Sequence, residues 1–382
     1  MSLEPFAFGL DTAITFGAGR RREAGRVAST FGRRAALVTG QHSFAAGPHA
    51  AELEASLREA EVQVVARCQV TGEPEIGAVM AAADALREHG ADVVLAIGGG
   101  SVLDLAKAAA ISAGSVIDAE QLATGPRFDT PVGVPVVALP TTAGSGAEVS
   151  RGAIVMDPDT GRKHGIRGRG VAPRAAIVDP ELVVGCPPRV TARAGFDAVA
   201  HAVETTISRA ASPATRMLAL DALPRLMDAV PRAMAAPDDL AARSAASYAA
   251  MLMGINLANS TTCLPHRMQY PLGSVASSEH ATGVAAITPA WLQRVLRHAP
   301  ERLAAFATGL GTAARDETEA ADTVARAILA FMARIDLQPR LRDLGIGRDD
   351  LPRLAGMVEG TLENDPGPTE PDALLALYQE SW

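Results

Sequence analysis

The feature that most constrains this chain is the regular alternation of short apolar stretches with helix-forming stretches in its first half. Residues 35–39 and 93–97 are almost entirely apolar and each is followed by glycine, which is typical of strands buried on both faces of a sheet. The stretches 50–60 and 75–89 between them have helical periodicity. This alternation predicts an α/β domain built on a parallel sheet.

The second half has a different pattern. From about Pro188 onward the strand signals end, and apolar residues recur at a spacing of three to four, which predicts an all-helical domain. Pro224 and Pro231 are expected to mark helix boundaries or kinks. With 382 residues the chain is long enough for two hydrophobic cores. We therefore predict an α/β dinucleotide-binding domain at 1–184 and an all-helical domain at 185–382.

A glycine-rich loop follows the predicted strand 93–97. Gly98, Gly99 and Gly100 allow a diphosphate to approach the backbone closely, and the next helix presents free N–H groups and its positive dipole end. Ser101 and Asp104 form a capping-box pattern that would start that helix. These five residues are predicted to bind a dinucleotide. A tight turn without a ligand is the alternative, since the Gly-x-Gly-x-x-Gly fingerprint is absent.

A second polar loop follows the next predicted strand. Thr141, Thr142 and Ser145 lie among small residues and glycines, and their hydroxyl groups can form hydrogen bonds to phosphate or ribose. We predict that they also contact the cofactor. An ordinary surface loop is the alternative.

Two pairs of polar residues in the second half suggest a metal site. Asp197 and His201 are four residues apart in a run of good helix formers, which places both side chains on one helix face. The pair alone also fits a solvated face. His266 and His280 follow in apolar, helix-rich sequence, and four N and O ligands suit a first-row divalent metal. Core histidines without a metal are the alternative.

Composition excludes several other classes of protein. A formal charge of −8 argues against general binding to nucleic acid or to an anionic membrane. No apolar run reaches the roughly 20 residues of a membrane span, and the N-terminus lacks the pattern of a signal peptide, so we expect a cytoplasmic protein. Its three cysteines form no Cys-x-x-Cys pair and indicate neither a disulfide framework nor a zinc motif.

These motifs occur in the order found in the iron-containing (group III) alcohol dehydrogenase family, which the chain resembles. The resemblance rests on residues 98–107, 140–149, 177–182 and 195–204, and extends from Ile14 to about Pro289. It implies the dehydroquinate-synthase-like architecture of that family, with an N-terminal dinucleotide-binding domain, a C-terminal helical domain and an active site in the cleft between them. It also implies NAD(P) and a divalent metal, Fe²⁺ first and Zn²⁺ as the alternative.

The resemblance implies site residues as well, and the chain departs from the family at some of them. By motif, the metal ligands would be Asp197, His201, His266 and His280. The segment 266–273 resembles the family's His-x-x-x-His-Pro-Leu-Gly, but Tyr270 replaces the second histidine, which in the family lies near the nicotinamide. Tyr270 and Arg267 are our candidates for catalytic residues. Around His280 the sequence reads Glu-His-Ala where Pro-His-Gly is common.

Gly40 bears on the choice of cofactor. It follows the strand 35–39 at a position where NAD-preferring members of the family often carry an aspartate that binds the ribose hydroxyls. An acidic group there would repel the 2′-phosphate of NADP, so glycine removes a barrier to NADP without establishing a preference. We count Gly40 among the cofactor-binding residues.

The predicted reaction is hydride transfer between NAD(P)(H) and a small alcohol or aldehyde, with the carbonyl oxygen polarised by the metal. Basic residues occur near segments that resemble the family's active-site cleft, which favours an anionic aldehyde carrying a carboxylate or phosphonate; solvent-facing arginines are the alternative. These residues are Arg151, Lys163, His164, Arg167, Arg169 and Arg267.

Other readings stay open at this point. A maleylacetate-reductase-like enzyme or a dehydroquinate-synthase-like lyase would share the fold, and a non-catalytic nucleotide- or metal-binding protein would share the motifs. The expected partner is a small-molecule substrate, with neither nucleic acid nor membrane. The oligomeric state is undetermined, a homodimer being one candidate.

Overall fold

The computed structural model describes residues 5–41, 44, 47, 49–115, 117–276 and 279–382. Residues 1–4, part of the stretch from which we expect no signal peptide, lie outside these ranges. The chain forms two compact units. The sheet unit contains residues 9–186 and 238–258, and the helical unit contains residues 5–8, 187–237 and 259–382. No helix in the described ranges is long and apolar enough to cross a membrane.

The sheet unit is organised around six parallel strands. Its strands are short, rich in valine, isoleucine and alanine, and buried in the centre of the sheet, as the apolar runs predict. These strands are β1 (Ala13–Phe16), β2 (Arg34–Gly40), β3 (Gln63–Val70), β4 (Val93–Gly98), β5 (Val136–Pro140) and β8 (Ala175–Val178). A separate antiparallel hairpin consists of β6 (Gly152–Asp157) and β7 (Arg162–Arg167).

The order of the strands creates a switch point in the sheet. The order is β1-β8-β5-β4-β2-β3, so the chain runs outward from β2 to β3 and then returns to the other side of β2 with β4. Thr39 of β2 pairs with Ile97 of β4, and Gly98 pairs with Pro140 of β5. The carboxyl ends of these three strands therefore lie side by side. In open α/β sheets, ligands bind in the crevice at such a switch point.

Helices flank the sheet, and apolar clusters fill the space on both of its faces. They are α1 (Ala24–Ala28), α2 (His49–Glu59), α3 (Ile76–Glu88), α4 (Gly100–Ser115) and α5 (Ala119–Ala123), together with α8 (Leu240–Asn259), most of which belongs to this unit. Short 3₁₀ helices occur in both units, at Arg20–Glu23, Arg169–Val171, Pro180–Val183, Tyr270–Ser274, Leu341–Leu344, Arg348–Asp350 and Leu362–Asn364.

The described part of the helical unit contains helices and no strand, which confirms the predicted fold class. Its helices are α6 (Pro188–Ile207), α7 (Pro213–Ala235), α9 (Leu264–Gln269), α10 (His280–His298), α11 (Pro300–Ala304), α12 (Glu317–Arg334), α13 (Leu351–Gly356) and α14 (Pro371–Ser381). Several carry proline in their first turn, where no intrahelical N–H bond is lost.

Pro224 and Pro231 lie inside α7, so they mark no helix boundary, and the kink that was the other expectation stays a prediction. A buried apolar face that includes Leu223 and Leu226 holds the helix together across the missing N–H groups. The capping box at Ser101 is also absent. Helix α4 already begins at Gly100, and the Asp104 side chain accepts a hydrogen bond from the Ile154 N–H instead.

Candidate metal centre and cofactor loops

Helix α6 carries three polar side chains on one face. Asp197, His201 and Glu204 are spaced by four and three residues, so they stack along the helix. All three are buried, and the helix positions between them are occupied by alanine and valine. Burying charged or ionisable groups is costly unless they are paired or bind a metal. Their burial therefore requires partners from other elements.

Helices α9 and α10 supply those partners. His266 lies in the middle of α9 and His280 is the first residue of α10. The Nε2 atoms of His266, His280 and His201 lie 3.3, 3.6 and 3.8 Å from the same oxygen, Oδ1 of Asp197. The rings of His201 and His266 are stacked, with centroids 4.6 Å apart. Three imidazole nitrogens thus converge on one carboxylate oxygen.

The convergence fits a divalent cation. Ligands about 2.1 Å from a tetrahedral ion are about 3.4 Å from one another, close to the 3.3–3.8 Å separating the imidazole nitrogens from Asp197 Oδ1. Asp197, His201 and His266 each offer one ligand atom within 4.8 Å of the others. His280, whose side chain is 32% exposed, faces the same oxygen as a fourth donor. One carboxylate and three imidazoles suit Fe²⁺ or Zn²⁺.

The electrostatics of the cluster agree with this donor set. Burial by itself would raise the pKa of Asp197, but the charge of His201 and the hydrogen bonds from His266 and His280 hold it well below its ordinary value. Burial lowers the pKa of His201 to about 4. It would also lower the pKa of His266, but Glu204 and Asp197 raise that pKa to about 10. The cluster thus keeps Asp197 as an anion inside the helical unit.

Behind the histidines lie two residues that sequence reasoning did not assign. Glu204 Oε1 lies 2.6 Å from Nδ1 of His266, and its Oε2 accepts the Cys263 N–H at 2.8 Å. Gln269 Oε1 lies 2.7 Å from Nδ1 of His280. Glu204 had a sequence signal, because it is seven residues from Asp197 on the same helix face. Gln269 had none, since its role depends on a contact between two helices.

Arg267 and Tyr270 lie one turn apart along α9 and its 3₁₀ extension. The Tyr270 ring is 6.4 Å from the His280 ring, between centroids, and its catalytic role stays a prediction. Arg267 is buried and donates from Nη2 to Thr261 Oγ1 at 2.9 Å, while its Nε has no hydrogen-bond partner. Among the described residues no carboxylate forms an ion pair with Arg267.

In the sheet unit, the two predicted cofactor loops lie against each other. A Cβ placed on Gly99 would be 3.3 Å from Thr142 Oγ1, and one on Gly100 would be 3.0 Å from Ser145 Oγ. The Thr141 N–H donates to Gly98 O at 3.0 Å. The loops therefore meet at the start of α4, at the carboxyl ends of β4 and β5. Glycine at these positions leaves room beside the hydroxyl groups.

The remaining predicted cofactor residues have different surroundings. Gly40 ends β2 at the switch point, and Ser101 lies in the first turn of α4. Both oxygens of the Asp104 carboxylate have partners within the sheet unit. Its Oδ1 is 2.9 Å from Nζ of the buried Lys107, and its Oδ2 accepts a hydrogen bond from the Ile154 N–H. Its contact with a cofactor stays a prediction.

Half of the predicted basic cluster forms local ion pairs. Arg151 and Arg169 both pair with Asp11, and Lys163 pairs with Glu73. These residues belong to the sheet unit, together with His164 and Arg167, whereas Arg267 belongs to the helical unit. Lys163 and Glu73 balance each other, whereas Asp11 supplies one negative charge to two guanidinium groups and leaves one net positive charge.

Comparison with known proteins places this geometry in a family. The family described as "Iron-containing alcohol dehydrogenase" matches residues 11–180, and "Fe-containing alcohol dehydrogenase family, C-terminal" matches residues 191–382. These two matches include every predicted site residue. The chain therefore belongs to the iron-containing alcohol dehydrogenase family, as the sequence motifs predicted, and it is an oxidoreductase of alcohols or aldehydes.

Individual relatives are similar over most of their length. The choline dehydrogenase of Bacillus subtilis is 32% identical over 93% of this chain and 89% of that protein. The 4-hydroxybutyrate dehydrogenase of Cupriavidus necator is 33% identical over 83% of each chain. The crystal structure of sulfoacetaldehyde reductase from Bifidobacterium kashiwanohense in complex with NAD⁺ has a TM-score of 0.87 at 26% identity, covering 99% of this chain and 98% of that one.

Proposed function

We propose that the protein interconverts a small aldehyde and its alcohol with NAD(P)(H), and that Asp197, His201, His266 and His280 hold the divalent metal, Fe²⁺ in the first instance. The observation that carries this proposal is the convergence of three Nε2 atoms on Asp197 Oδ1. A metal bound there supplies Lewis acidity toward the substrate oxygen, and the nicotinamide carries the hydride.

The chain's own residues prepare this site in three ways. Burial of Asp197, His201 and His266 excludes water, which strengthens electrostatic interactions with the substrate oxygen. Glu204 accepts from Nδ1 of His266, so that the Nε2 lone pair is available to a cation. The position of Tyr270 beside His280 places a phenol group next to the donor set.

The cofactor site we propose comprises Gly98–Ser101 and the hydroxyl groups of Thr141, Thr142 and Ser145. Support comes from the contact between the two loops and from their location at the switch point. The N–H groups of Gly100 and Ser101 at the start of α4 can bind a diphosphate, whereas those of Val102 and Leu103 donate to Gly99 O. Gly40 offers no carboxylate to repel a 2′-phosphate, so we expect NADPH to be accepted as well as NADH.

The test is reduced-nicotinamide absorbance with iron-reconstituted protein and a panel of short aldehydes, measured with NADH and with NADPH. We expect turnover that is lost together with bound iron in His266→Ala. His298→Ala is the matched control, because His298 is an exposed histidine at the other end of α10 from His280. Bound iron and cofactor without turnover on any aldehyde would contradict the proposal.

For the substrate we propose an anionic aldehyde, recognised by Arg267. A buried guanidinium with an unpartnered Nε and no paired carboxylate in the described chain has unused capacity for an anion. Arg267 lies one turn from Tyr270, which in turn lies beside His280. The names of two relatives agree, since 4-hydroxybutyrate and sulfoacetaldehyde are anions, whereas choline is a cation.

A pair of matched substrates tests the anionic substrate separately from aldehyde reduction in general. We expect kcat/KM for 4-oxobutanoate to exceed that for butanal by roughly tenfold or more, the value of one desolvated charged contact of about 1.5–3 kcal/mol. Arg267→Met should abolish that ratio, and Arg297→Met, at an exposed arginine of α10, should keep it. Equal specificity constants that Arg267→Met leaves unchanged would refute the anionic substrate while leaving aldehyde reduction intact.

A further inference from the structure

The three histidines of the candidate metal centre differ in what holds their second ring nitrogen. Nδ1 of His266 faces the Glu204 carboxylate at 2.6 Å, and Nδ1 of His280 faces the Gln269 amide oxygen at 2.7 Å. Nδ1 of His201 is buried and has no hydrogen-bond partner in the described structure. The three rings are therefore oriented by a carboxylate, by an amide and by packing alone.

We infer that Gln269 is the positioning residue for His280: by accepting its Nδ1–H, it turns the Nε2 lone pair toward Asp197 and the metal. The inference rests on the proposed function, because it requires a metal at Asp197. A ring nitrogen that binds a metal carries no proton, so the other nitrogen must donate. The amide oxygen at Nδ1 is the acceptor that this arrangement needs.

His280 depends on this contact more than the other two histidines do. It is the first residue of α10, and its side chain is 32% exposed, whereas those of His201 and His266 are 5% and 4% exposed. Packing therefore fixes its ring less. The hydrogen bond with Gln269 therefore matters more for the orientation of this ring.

Gln269 itself is rigidly held. It is fully buried on α9, and its Cγ lies against Gly283 of α10, where an added Cβ would come within 2.7 Å. That Cβ would also lie 3.1 Å from Leu272 Cδ1. Glycine at position 283, one turn after His280, thus leaves the space that the glutamine side chain fills. A buried and confined amide presents its oxygen in one direction.

The nitrogen of the Gln269 amide indicates why glutamine occupies this position. Nε2 of Gln269 is buried without a hydrogen-bond partner. An unsatisfied buried N–H group costs about 1–3 kcal/mol, which an apolar side chain of similar size would not incur. Packing alone therefore does not favour glutamine here, and the favourable contact is the one from its oxygen to His280.

The choice of an amide also fits the charge of the site. Asp197 and Glu204 already contribute two carboxylates near the histidines. Two negative charges balance a divalent cation with neutral imidazoles, and a third carboxylate would leave the buried centre with an excess charge. A neutral acceptor orients His280 without adding that charge.

The test is titration of metal-free protein with Co²⁺, followed by calorimetry and by the visible absorption of the bound ion, which reports its ligand set. Gln269→Met removes the acceptor at similar length, and Gln269→Leu is a second apolar variant. We expect each to weaken Co²⁺ binding by about 10–100-fold, with a changed visible spectrum. Gln269→Glu retains an acceptor oxygen and should keep the wild-type visible spectrum, although its third carboxylate adds charge to the buried centre.

A double-mutant cycle distinguishes positioning from packing. If Gln269 acts through His280, Gln269→Met should have no further effect on Co²⁺ affinity in a His280→Ala background. The same loss in both backgrounds, or an unchanged affinity in wild type, would overturn the role of Gln269. If His266→Ala binds Co²⁺ as wild type does, the proposed metal site fails and the positioning role fails with it. Loss in His266→Ala beside unchanged Gln269 variants removes only the inference about Gln269.

Discussion

Two of the buried carboxyl groups, one in each unit of the molecule, respond to burial in opposite ways. Glu148 of the sheet unit and Asp197 of the helical unit are 4% and 6% exposed. Burial raises the pKa of Glu148 to about 7, and the nearby Lys107 opposes that shift only in part. The pKa of Asp197 is held well below its ordinary value by the histidines around it.

This difference in pKa shift distinguishes a cation site from an isolated buried acid. Lys107 is already committed: its Nζ is 2.9 Å from Asp104 Oδ1 and donates to Ala147 O at 3.0 Å. Glu148 therefore has little compensation for its desolvation and keeps its proton up to a pH of about 7. Asp197 has three imidazole nitrogens within 3.8 Å and stays ionised. Burial alone does not make a carboxylate a ligand; converging donors do.

The largest expected effect is on metal binding at Asp197. Asp197→Asn preserves the shape of the side chain but removes the anion on which the three histidines converge. An apparent binding free energy of roughly 10–16 kcal/mol shared among four ligands gives about 3 kcal/mol or more for one ligand, or a hundredfold in affinity. Iron content after dialysis against a graded chelator series measures it. Glu148→Asn should retain wild-type iron content. An equal loss of iron in both variants would contradict the distinction between Asp197 and Glu148.

A second comparison lies within the metal centre. His266→Ala leaves Glu204 as a buried carboxylate without its imidazole partner, which should destabilise the metal-free protein by about 3–5 kcal/mol. His280→Ala leaves only the neutral oxygen of Gln269 unpaired, at a cost of about 1–3 kcal/mol. Urea unfolding in excess chelator measures both. A larger loss of stability in His280→Ala than in His266→Ala would contradict this ranking of the Glu204 and Gln269 contacts.

Glu148 predicts a pH dependence of stability. Its pKa is about 7 in the folded protein and ordinarily 4.5, so between these values the unfolded chain releases the proton first. Stability is therefore fully present below about pH 4.5 and is lost as the pH rises toward 7, by about 3 kcal/mol for this group. The difference in urea-unfolding free energy between wild type and Glu148→Gln should change by that amount from pH 4.5 to 7.5.

The control for this experiment is Glu88→Gln, at an exposed carboxyl group on the last turn of α3. Its difference from wild type should stay nearly constant over the same pH range. Parallel stability curves for wild type and Glu148→Gln would show that Glu148 is ionised at pH 7 in the folded protein. In that case the two buried carboxyl groups would not differ in the way described.

Much of the fold was predictable because its signals are local. Apolar runs ending at glycine identified β2 and β4, and three-to-four periodicity identified the long helices. The continuous α7 was not predicted, since its tolerance of Pro224 and Pro231 depends on tertiary packing. For the same reason Asp104 was assigned to a helix cap, whereas Lys107 and the backbone of β6 hold its carboxylate.

The candidate site was predictable in part. Asp197 and His201 were found from one helical spacing, and His266 and His280 from their place in apolar, helix-rich sequence; the likeness to a family indicated the same four residues. No spacing in the sequence indicates that Nε2 of each histidine, rather than Nδ1, faces the carboxylate. The Nδ1 atoms of His266 and His280 instead face Glu204 and Gln269, which lie 62 and 11 residues away in the sequence, whereas Nδ1 of His201 has no such partner in the described structure. Contacts between residues of different helices, such as these, can be identified only once the packing of the helices is known.

The smallest effect we predict concerns the backbone loops of the sheet unit, where the site consists of space rather than of charged side chains. Gly100→Ala would place a Cβ 3.0 Å from Ser145 Oγ, tight enough to displace that hydroxyl group from the start of α4. Loss of one hydrogen bond of about 1–1.5 kcal/mol should weaken NADH binding about tenfold, measured by quenching or calorimetry.

Gly77→Ala on α3 is the matched control, because nothing lies within 4 Å of its added Cβ. Iron content should be unchanged in both variants, since Gly100 and the metal ligands belong to different units. If Gly100→Ala left NADH affinity intact, the cofactor would have to bind elsewhere than at the two loops.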